Sequence, residues 1–209
     1  MASPAGPRWS LLLVRNLLLW LVPVGLLWTA VTPAYNRFLL GSGQNLLRLV
    51  ESPNVSALVR KDRHFAYVQR LDFAPARSLV HSFRVTDVHF HLVLLGGLFM
   101  AVPGIPWRRR LENLGLAVLI TIFFDLLLVF FQAKFVYATQ LGDWSVKNYG
   151  PFARNAYGLG KHLLDLPFKL SLPFVLWTGF YLRDLFGALF PPPTGGATTS
   201  TKTSPRPSA

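Results

Sequence analysis

The sequence predicts a mainly α-helical, polytopic membrane protein with four transmembrane helices and a small extracytoplasmic β-rich subdomain between the first and second helices. Hydrophobic residues make up 52% of the 209-residue chain and charged residues only 14%, whereas soluble domains carry about 25% charged residues. The apolar residues are concentrated in runs long enough to cross a bilayer. Between the first two runs, apolar and polar residues alternate, as is typical of β-strands.

The first predicted span covers residues 11–33 and follows a cytoplasmic N-terminus of residues 1–10. Arg15 lies near its start and can extend its charged group to the membrane surface, while Pro23 is expected to kink the helix. No small-residue cleavage site followed by polar sequence ends this apolar run. We therefore interpret it as an uncleaved signal anchor.

Residues 34–87 are predicted to form an extracytoplasmic segment with one amphipathic helix and about three β-strands. Clustered leucines in residues 37–50 predict the helix, although two glycines there disfavour it. Period-two alternation in residues 64–71 and 78–85 predicts antiparallel strands, with turns at residues 60–63 and 74–76. A sheet this small does not hold a core alone, so we expect it to rest on the membrane, on the amphipathic segment or on a partner.

The second half of the chain alternates predicted spans with short connections. The paired glycines of the second span, Gly96 and Gly97, favour close helix approach. A Gly/Thr/Ser/Pro-rich tail is expected to be disordered. The predicted segments are a second span at 88–105, a cytoplasmic basic loop at 106–112, a third span at 113–133, an extracytoplasmic loop at 134–167 with an interfacial helix at 151–166, a fourth span at 168–190 and a cytoplasmic tail at 191–209.

Three consecutive arginines predict the orientation of the chain. Arg108, Arg109 and Arg110 lie in a very short loop, where the preference for positive charge on the cytoplasmic side is strongest. Counting spans from this loop places both termini in the cytoplasm. The chain carries 21 Lys and Arg against 9 Asp and Glu, and most of the basic residues flank apolar runs. This placement indicates contact with anionic lipid rather than with nucleic acid.

Asp125 is the first candidate functional residue, because it is ionisable and lies inside the third predicted span. Such a group costs about 2.5–3.5 kcal/mol to insert, so it usually has a partner or a task. It either fixes helix packing, contacts a proton, ion or substrate, or pairs with another chain. His91 and Arg183 are the possible internal partners, although we expect each to lie about two helical turns away along the membrane normal.

Asp87, His89 and His91 form a second candidate group at the outer mouth of the second span. On a helix, Asp87 and His91 share a face, and two histidines with a carboxylate could bind zinc. The spacing matches no known zinc motif, so we predict interfacial hydrogen bonding and no metal. The chain has no cysteine and no nucleotide-binding or triad motif. We therefore expect no cofactor, and the absence of these motifs favours a non-enzymatic protein.

Residues 87–131 resemble the central part of the exosortase and archaeosortase membrane family. The shared features are an outer motif that opens a helix, a proline-and-arginine turn (VPGIPWRRRLENLG) and a second apolar helix. In that family the outer motif supplies a catalytic cysteine, whereas this chain has DVHFH there. The family's Asn-x-x-Arg is replaced by Asp125-Leu126-Leu127-Leu128. The chain is thus similar to non-catalytic exosortase-associated membrane proteins, which implies a bacterial inner membrane and a role in envelope assembly.

Two functional hypotheses follow from these features. The first is a non-enzymatic membrane accessory or assembly protein of the bacterial envelope, which presents its outer subdomain to another membrane or envelope protein. The alternative is a membrane enzyme or transporter that uses Asp125 with His89 and His91 at an outer-facing cavity. A polar cavity joining Asp125 to His91 and Arg183 would favour the alternative. An Asp125 that faces lipid or an open groove would favour the partner-binding scaffold.

Overall fold

The computed structural model of the chain describes residues 7–74 and 79–189. The described part is predominantly helical and contains one small antiparallel sheet. The elements in chain order are α1 Pro7–Val50, β1 Ser56–Arg60, β2 Phe65–Arg70, β3 Leu79–Arg84, α2 Val85–His89, α3 His91–Ala101, α4 Trp107–Thr139, α5 Asp143–Asn148, α6 Pro151–Leu163, a π-helical turn at Leu164–Phe168, and α7 Lys169–Leu189.

Three helical stretches of the described chain are long and apolar enough to cross a membrane. They are Trp9–Val50, Trp107–Thr139 and Pro151–Leu182. The predicted second span at 88–105 corresponds to the shorter apolar stretch Val85–Ala101, in which α3 has only 11 residues. Since about 20 apolar residues are needed to cross a bilayer, the second span, and with it the total of four, stays a prediction.

The predicted break between the first span and an amphipathic helix is wrong. Helix α1 runs without interruption through Pro33 and both glycines to Val50. Its second half is held by packing, because Leu39 and Leu47 are fully buried. A Cβ on Gly43 would lie 2.9 Å from Val129 of α4. Close contact with a neighbouring helix therefore outweighs the low helix propensity of glycine.

The arginine-rich segment is helical, not the loop predicted at 106–112. Pro106 has an extended backbone conformation, and α4 begins directly after it at Trp107. Proline lacks a backbone N–H and does not need a partner at a helix start. The connection from α3 is therefore shorter than predicted. Gly104 turns the chain there with a φ of +79°.

The predicted extracytoplasmic loop at 134–167 is also mostly helical. The helix predicted at 151–166 is confirmed as α6, and α4 continues to Thr139. Helix α6 passes through the π-helical turn into α7 with no intervening loop, so the fourth predicted span is the end of a longer helix. The predicted tail at 191–209 lies outside the described residues.

The three predicted strands are confirmed as one antiparallel sheet in the order β1-β2-β3. Buried and exposed residues alternate along β2, with Ala66 and Val68 buried against the helices. The turn predicted at 60–63 is present, and the Lys61 amide donates to the carbonyl oxygen of Phe65 at 2.9 Å. The turn predicted at 74–76 lies mostly outside the described residues. As expected, the sheet has no separate core, because its buried residues join the helical core.

The two glycines of α3 lie close to α1, as the sequence predicts. A Cβ on Gly96 would lie 2.8 Å from Val24 Cγ1, and one on Gly97 would lie 2.9 Å from Leu21 Cδ2. Helices α1 and α3 can therefore pack side by side only because these positions lack side chains. This packing brings the polar residues of α1 and α3 toward α4.

Candidate functional site

Asp125 lies at the centre of a buried polar cluster formed by α1, α3 and α4. The Tyr35 hydroxyl donates to Asp125 Oδ2 at 2.7 Å, and His91 Nε2 lies 3.6 Å from Asp125 Oδ1. Asp125 is 2% exposed. The expectation that His91 lies too far away along the membrane normal is wrong, because α3 begins at His91 and packs beside the middle of α4. The side chain of Arg183 is outside the described part of the structure.

His89 faces away from Asp125 and forms its own hydrogen-bond network. Trp28 Nε1 donates to His89 Nδ1 at 3.2 Å, which leaves Nδ1 unprotonated. His89 Nε2 therefore carries the proton and donates to Asn36 Oδ1 at 2.6 Å. The Asn36 amide in turn donates to the carbonyl oxygen of Arg63 at 3.1 Å. The role of His89 in this arrangement is to join α1, α2 and the turn between β1 and β2.

Asp87, His89 and His91 do not converge on one point. Asp87 is exposed and lies 3.6 Å from Arg84 Nε, His89 faces α1, and His91 faces Asp125. No group of three or more metal-ligand residues occurs in the part of the chain that the structure describes. The geometry therefore gives no support to a zinc site in DVHFH.

His91 lines a small cavity next to Asp125. Neither ring nitrogen of His91 has a hydrogen-bond partner among the described residues. The cavity has a volume of about 10 Å³, close to the minimum that holds one water molecule. Leu128 and Lys169 also line it, and both border a larger open cavity of about 380 Å³.

We call this larger cavity the interhelix groove. It lies between the end of β3, α2, α4 and the junction of α6 with α7. Its Lys169 donates to Asp165 at 2.7 Å, so the positive charge of Lys169 is locally compensated. The lining residues are Phe83, Arg84, Asp87, Val88, Phe90, Leu128, Gln132, Asp165, Leu166, Lys169 and Leu170.

Two of the three arginines at the start of α4 contact other elements, and the third pairs within α4. Arg110 donates to the carbonyl oxygens of Met100 at 2.7 Å and Ile105 at 2.9 Å. Arg109 lies 3.1 Å from Asp184 of α7, and Arg108 donates to Glu112 at 2.8 Å. Arg110 thus fixes the connection between α3 and α4, and Arg109 attaches α7 to the start of α4.

A second polar cluster lies at the sheet end of the molecule, and sequence reasoning missed it. Lys134 Nζ lies 3.0 Å from Glu51 Oε1, and their side chains are 6% and 7% exposed. Glu51 also accepts from the Ser56 amide at 3.1 Å and the Ser56 hydroxyl at 2.6 Å. In the sequence, this cluster is indicated only by the positions of Glu51 and Lys134, two ionisable residues at the ends of long apolar runs. Their pairing across 83 residues could not be seen in sequence.

Arg70 extends this cluster from the end of β2. It donates to both carboxylate oxygens of Asp72, at 3.0 and 2.6 Å, and its guanidinium lies 4.1 Å from the centre of the Trp144 ring. Burial raises the pKa of nearby Tyr149 to about 12, so its hydroxyl is neutral at physiological pH. We call the group Glu51, Ser56, Arg70, Asp72, Lys134, Trp144 and Tyr149 the polar junction.

Comparison with models of protein families, with curated proteins and with solved structures finds no match to this chain. The resemblance to exosortase-associated proteins therefore stays a prediction.

Proposed function

We propose that this chain is a non-enzymatic integral membrane accessory or assembly protein of the bacterial cell envelope. In this proposal it has four spans, its termini are cytoplasmic, and the sheet end lies on the outer side of the inner membrane. The sheet and the interhelix groove are then presented to another membrane or envelope protein. Arg108, Arg109 and Arg110 support the orientation, because positive charge at the ends of spans favours the cytoplasmic side.

The observation that carries the proposal is the position of β3 at the edge of the sheet. The order β1-β2-β3 leaves one side of β3 without a paired strand in the described part of the chain. An edge strand has free backbone N–H and C=O groups that can pair with an extended segment of another protein. Phe83 and Arg84 at the end of β3 also line the groove. A partner strand paired with β3 would therefore end next to the interhelix groove.

The environment of Asp125 supports a structural role for this residue. Its carboxyl group is buried and accepts a hydrogen bond from Tyr35, so it connects α4 to α1. Within a bilayer such contacts between helices hold the bundle together. The helices then act as a support for the outer surface.

Site-specific photocrosslinking in the native host tests partner docking. A photoreactive residue replacing Ser82, which is exposed on β3, should give one discrete adduct. The same residue replacing Val146, which is 62% exposed on α5, is the matched control and should give little of it. Purification in mild detergent should recover the same partner in stoichiometric amount. Absence of an adduct at position 82, or equal adducts at both positions, would reject this proposal.

One observation favours the alternative of a membrane enzyme or transporter. The ring nitrogens of His91 have no hydrogen-bond partner among the described residues. The ring lies beside Asp125 in a cavity that shares Leu128 and Lys169 with the groove. Asp125→Asn keeps an acceptor for Tyr35 but removes the titratable group. The variant is expressed in cells that lack the native protein. If it fails to restore their phenotype, although it retains its partner and its abundance in the membrane, the enzyme or transporter is favoured over the scaffold.

A further inference from the structure

The polar junction surrounds an open cavity of about 340 Å³ at the sheet end of the molecule. Small-molecule sites typically have volumes from about 300 Å³ upward. The cavity lies where the end of α1, the end of β2, α4 and α5 meet. Its walls include Glu51, Arg70, Lys134, Trp144 and Tyr149. Two segments that are far apart in sequence therefore contribute charged groups to one cavity.

Two cations in this cavity are buried to an unusual degree. The side chain of Lys134 is 6% exposed and that of Arg70 is 8% exposed. Burying ion pairs is expensive, and apolar residues of similar size often stabilise a protein equally well. Arg70 also occupies a position on the buried face of β2, next to Val68. Packing alone does not explain why cations occupy these positions.

Both cations retain hydrogen-bond donors that the protein does not use. A lysine ammonium has three N–H donors and an arginine guanidinium has five. Among the described residues, Lys134 donates only to Glu51, and Arg70 donates only to Asp72 through Nε and Nη2. The remaining donors belong to side chains that line the cavity.

The acceptors of the junction are occupied by protein donors. Glu51 accepts from Lys134 and twice from Ser56, so it positions Lys134. Asp72 accepts from Arg70 through both carboxylate oxygens. Each cation of the junction is therefore paired with one carboxylate. A ligand that supplies negatively charged oxygens would match the free donors of Lys134 and Arg70.

We propose that the polar junction binds a phosphate group, through the free N–H donors of Lys134 and Arg70. The guanidinium of Arg70 lies 4.1 Å from the centre of the Trp144 ring, and its Nε and Nη2 donate to Asp72. Its Nη1 therefore remains for the ligand. The phosphate belongs either to a soluble phosphate compound or to an anionic lipid headgroup. This binding site is independent of partner docking on β3.

Calorimetric titration of the full-length protein in neutral detergent with inorganic phosphate tests for the soluble source. Binding to nanodiscs that contain phosphatidylglycerol, compared with phosphatidylcholine alone, tests for the lipid source. Phosphate binding supports a soluble ligand, and selective retention of phosphatidylglycerol supports a headgroup. Failure of both probes to bind overturns the proposal.

Three variants separate a site from general electrostatic attraction. Lys134→Gln should weaken binding about tenfold or more, because a charge-assisted hydrogen bond is lost. Lys147→Gln makes the same change at an exposed position of α5 and should leave the affinity unchanged. Equal effects of these two variants would contradict a specific site.

Asp72→Asn gives the decisive result, because its expected effect is a gain. Removing the carboxylate that competes for Arg70 should tighten binding about threefold to fivefold, as for a partly exposed charge pair. A folding defect cannot produce tighter binding, so this variant keeps the test valid if Lys134→Gln is unstable. Weaker or unchanged binding by folded Asp72→Asn would refute the role of Arg70.

Discussion

Replacing Gly96 by alanine should destabilise the contact between α1 and α3. The new Cβ would lie 2.8 Å from Val24 Cγ1, well inside van der Waals contact. Valine is stiff at χ1 in a helix and cannot easily rotate away, so one helix must shift. Overpacking of this kind costs about 1–3 kcal/mol. Alanine offsets part of this cost, because it is a better helix former than glycine by about 0.5–1 kcal/mol.

A matched control removes this offset. Gly115→Ala makes the same change in α4, where nothing lies within 4 Å of the added Cβ. The difference in unfolding free energy between the two variants should therefore be about 1–3 kcal/mol. Reversible unfolding in mixed micelles, followed by tryptophan fluorescence, measures it. Combining Gly96→Ala with Val24→Ala should recover much of the loss. Equal stability of Gly96→Ala and Gly115→Ala would refute the packing argument.

Three further predictions concern polar contacts. Tyr35→Phe removes the only donor to Asp125 Oδ2 among the described residues. It should lower the unfolding free energy by about 1–3 kcal/mol in the same assay. An unchanged unfolding free energy would show that this contact is not structural. Asp184→Asn should cost less than about 1 kcal/mol, since its partner Arg109 is 48% exposed, and a larger loss would contradict this. Backbone amides of His64 and Phe65 lower the pKa of Asp62 below its ordinary value of 3.8. The stabilisation from these two hydrogen bonds should therefore be fully present above pH 3.8. It should be lost as the pH falls through the lower pKa that Asp62 has in the folded protein. A carboxyl ¹³C titration midpoint at or above 3.8 would contradict it.

The local pattern of the sequence was sufficient for the sheet and for the long apolar helices. Alternation along Phe65–Arg70 predicted a strand with one buried face, since side chains of a strand point to opposite sides. The Gly96–Gly97 pair predicted close helix contact, because a glycine lacks a side chain whatever its surroundings. Helix boundaries were harder to predict from the sequence. Glycine and proline in α1 indicated a break, but packing of Leu39 and Leu47 against the rest of the core continues the helix.

The candidate site was only partly predictable for the same reason. Asp125 was identified because an ionisable residue in an apolar run is conspicuous whatever its surroundings. Its nearest partner, Tyr35, was missed, since 90 residues separate them. His89 and His91 are two positions apart, yet they face α1 and Asp125 respectively. Their sequence spacing predicted hydrogen bonding at the outer mouth of the second span, and the helix geometry gives the two histidines different neighbours.

The sequence by itself determined that this chain has long apolar helices, a three-stranded sheet and an isolated carboxyl group among apolar residues. These properties depend on composition and on periodicity within one segment. Only the tertiary structure decided which polar groups meet. Glu51 and Lys134 form a buried pair across the molecule, and Arg70 joins their cavity from β2. The position of each depends on how α1, α4 and the sheet pack together, because long-range pairing is set by the shapes of whole elements.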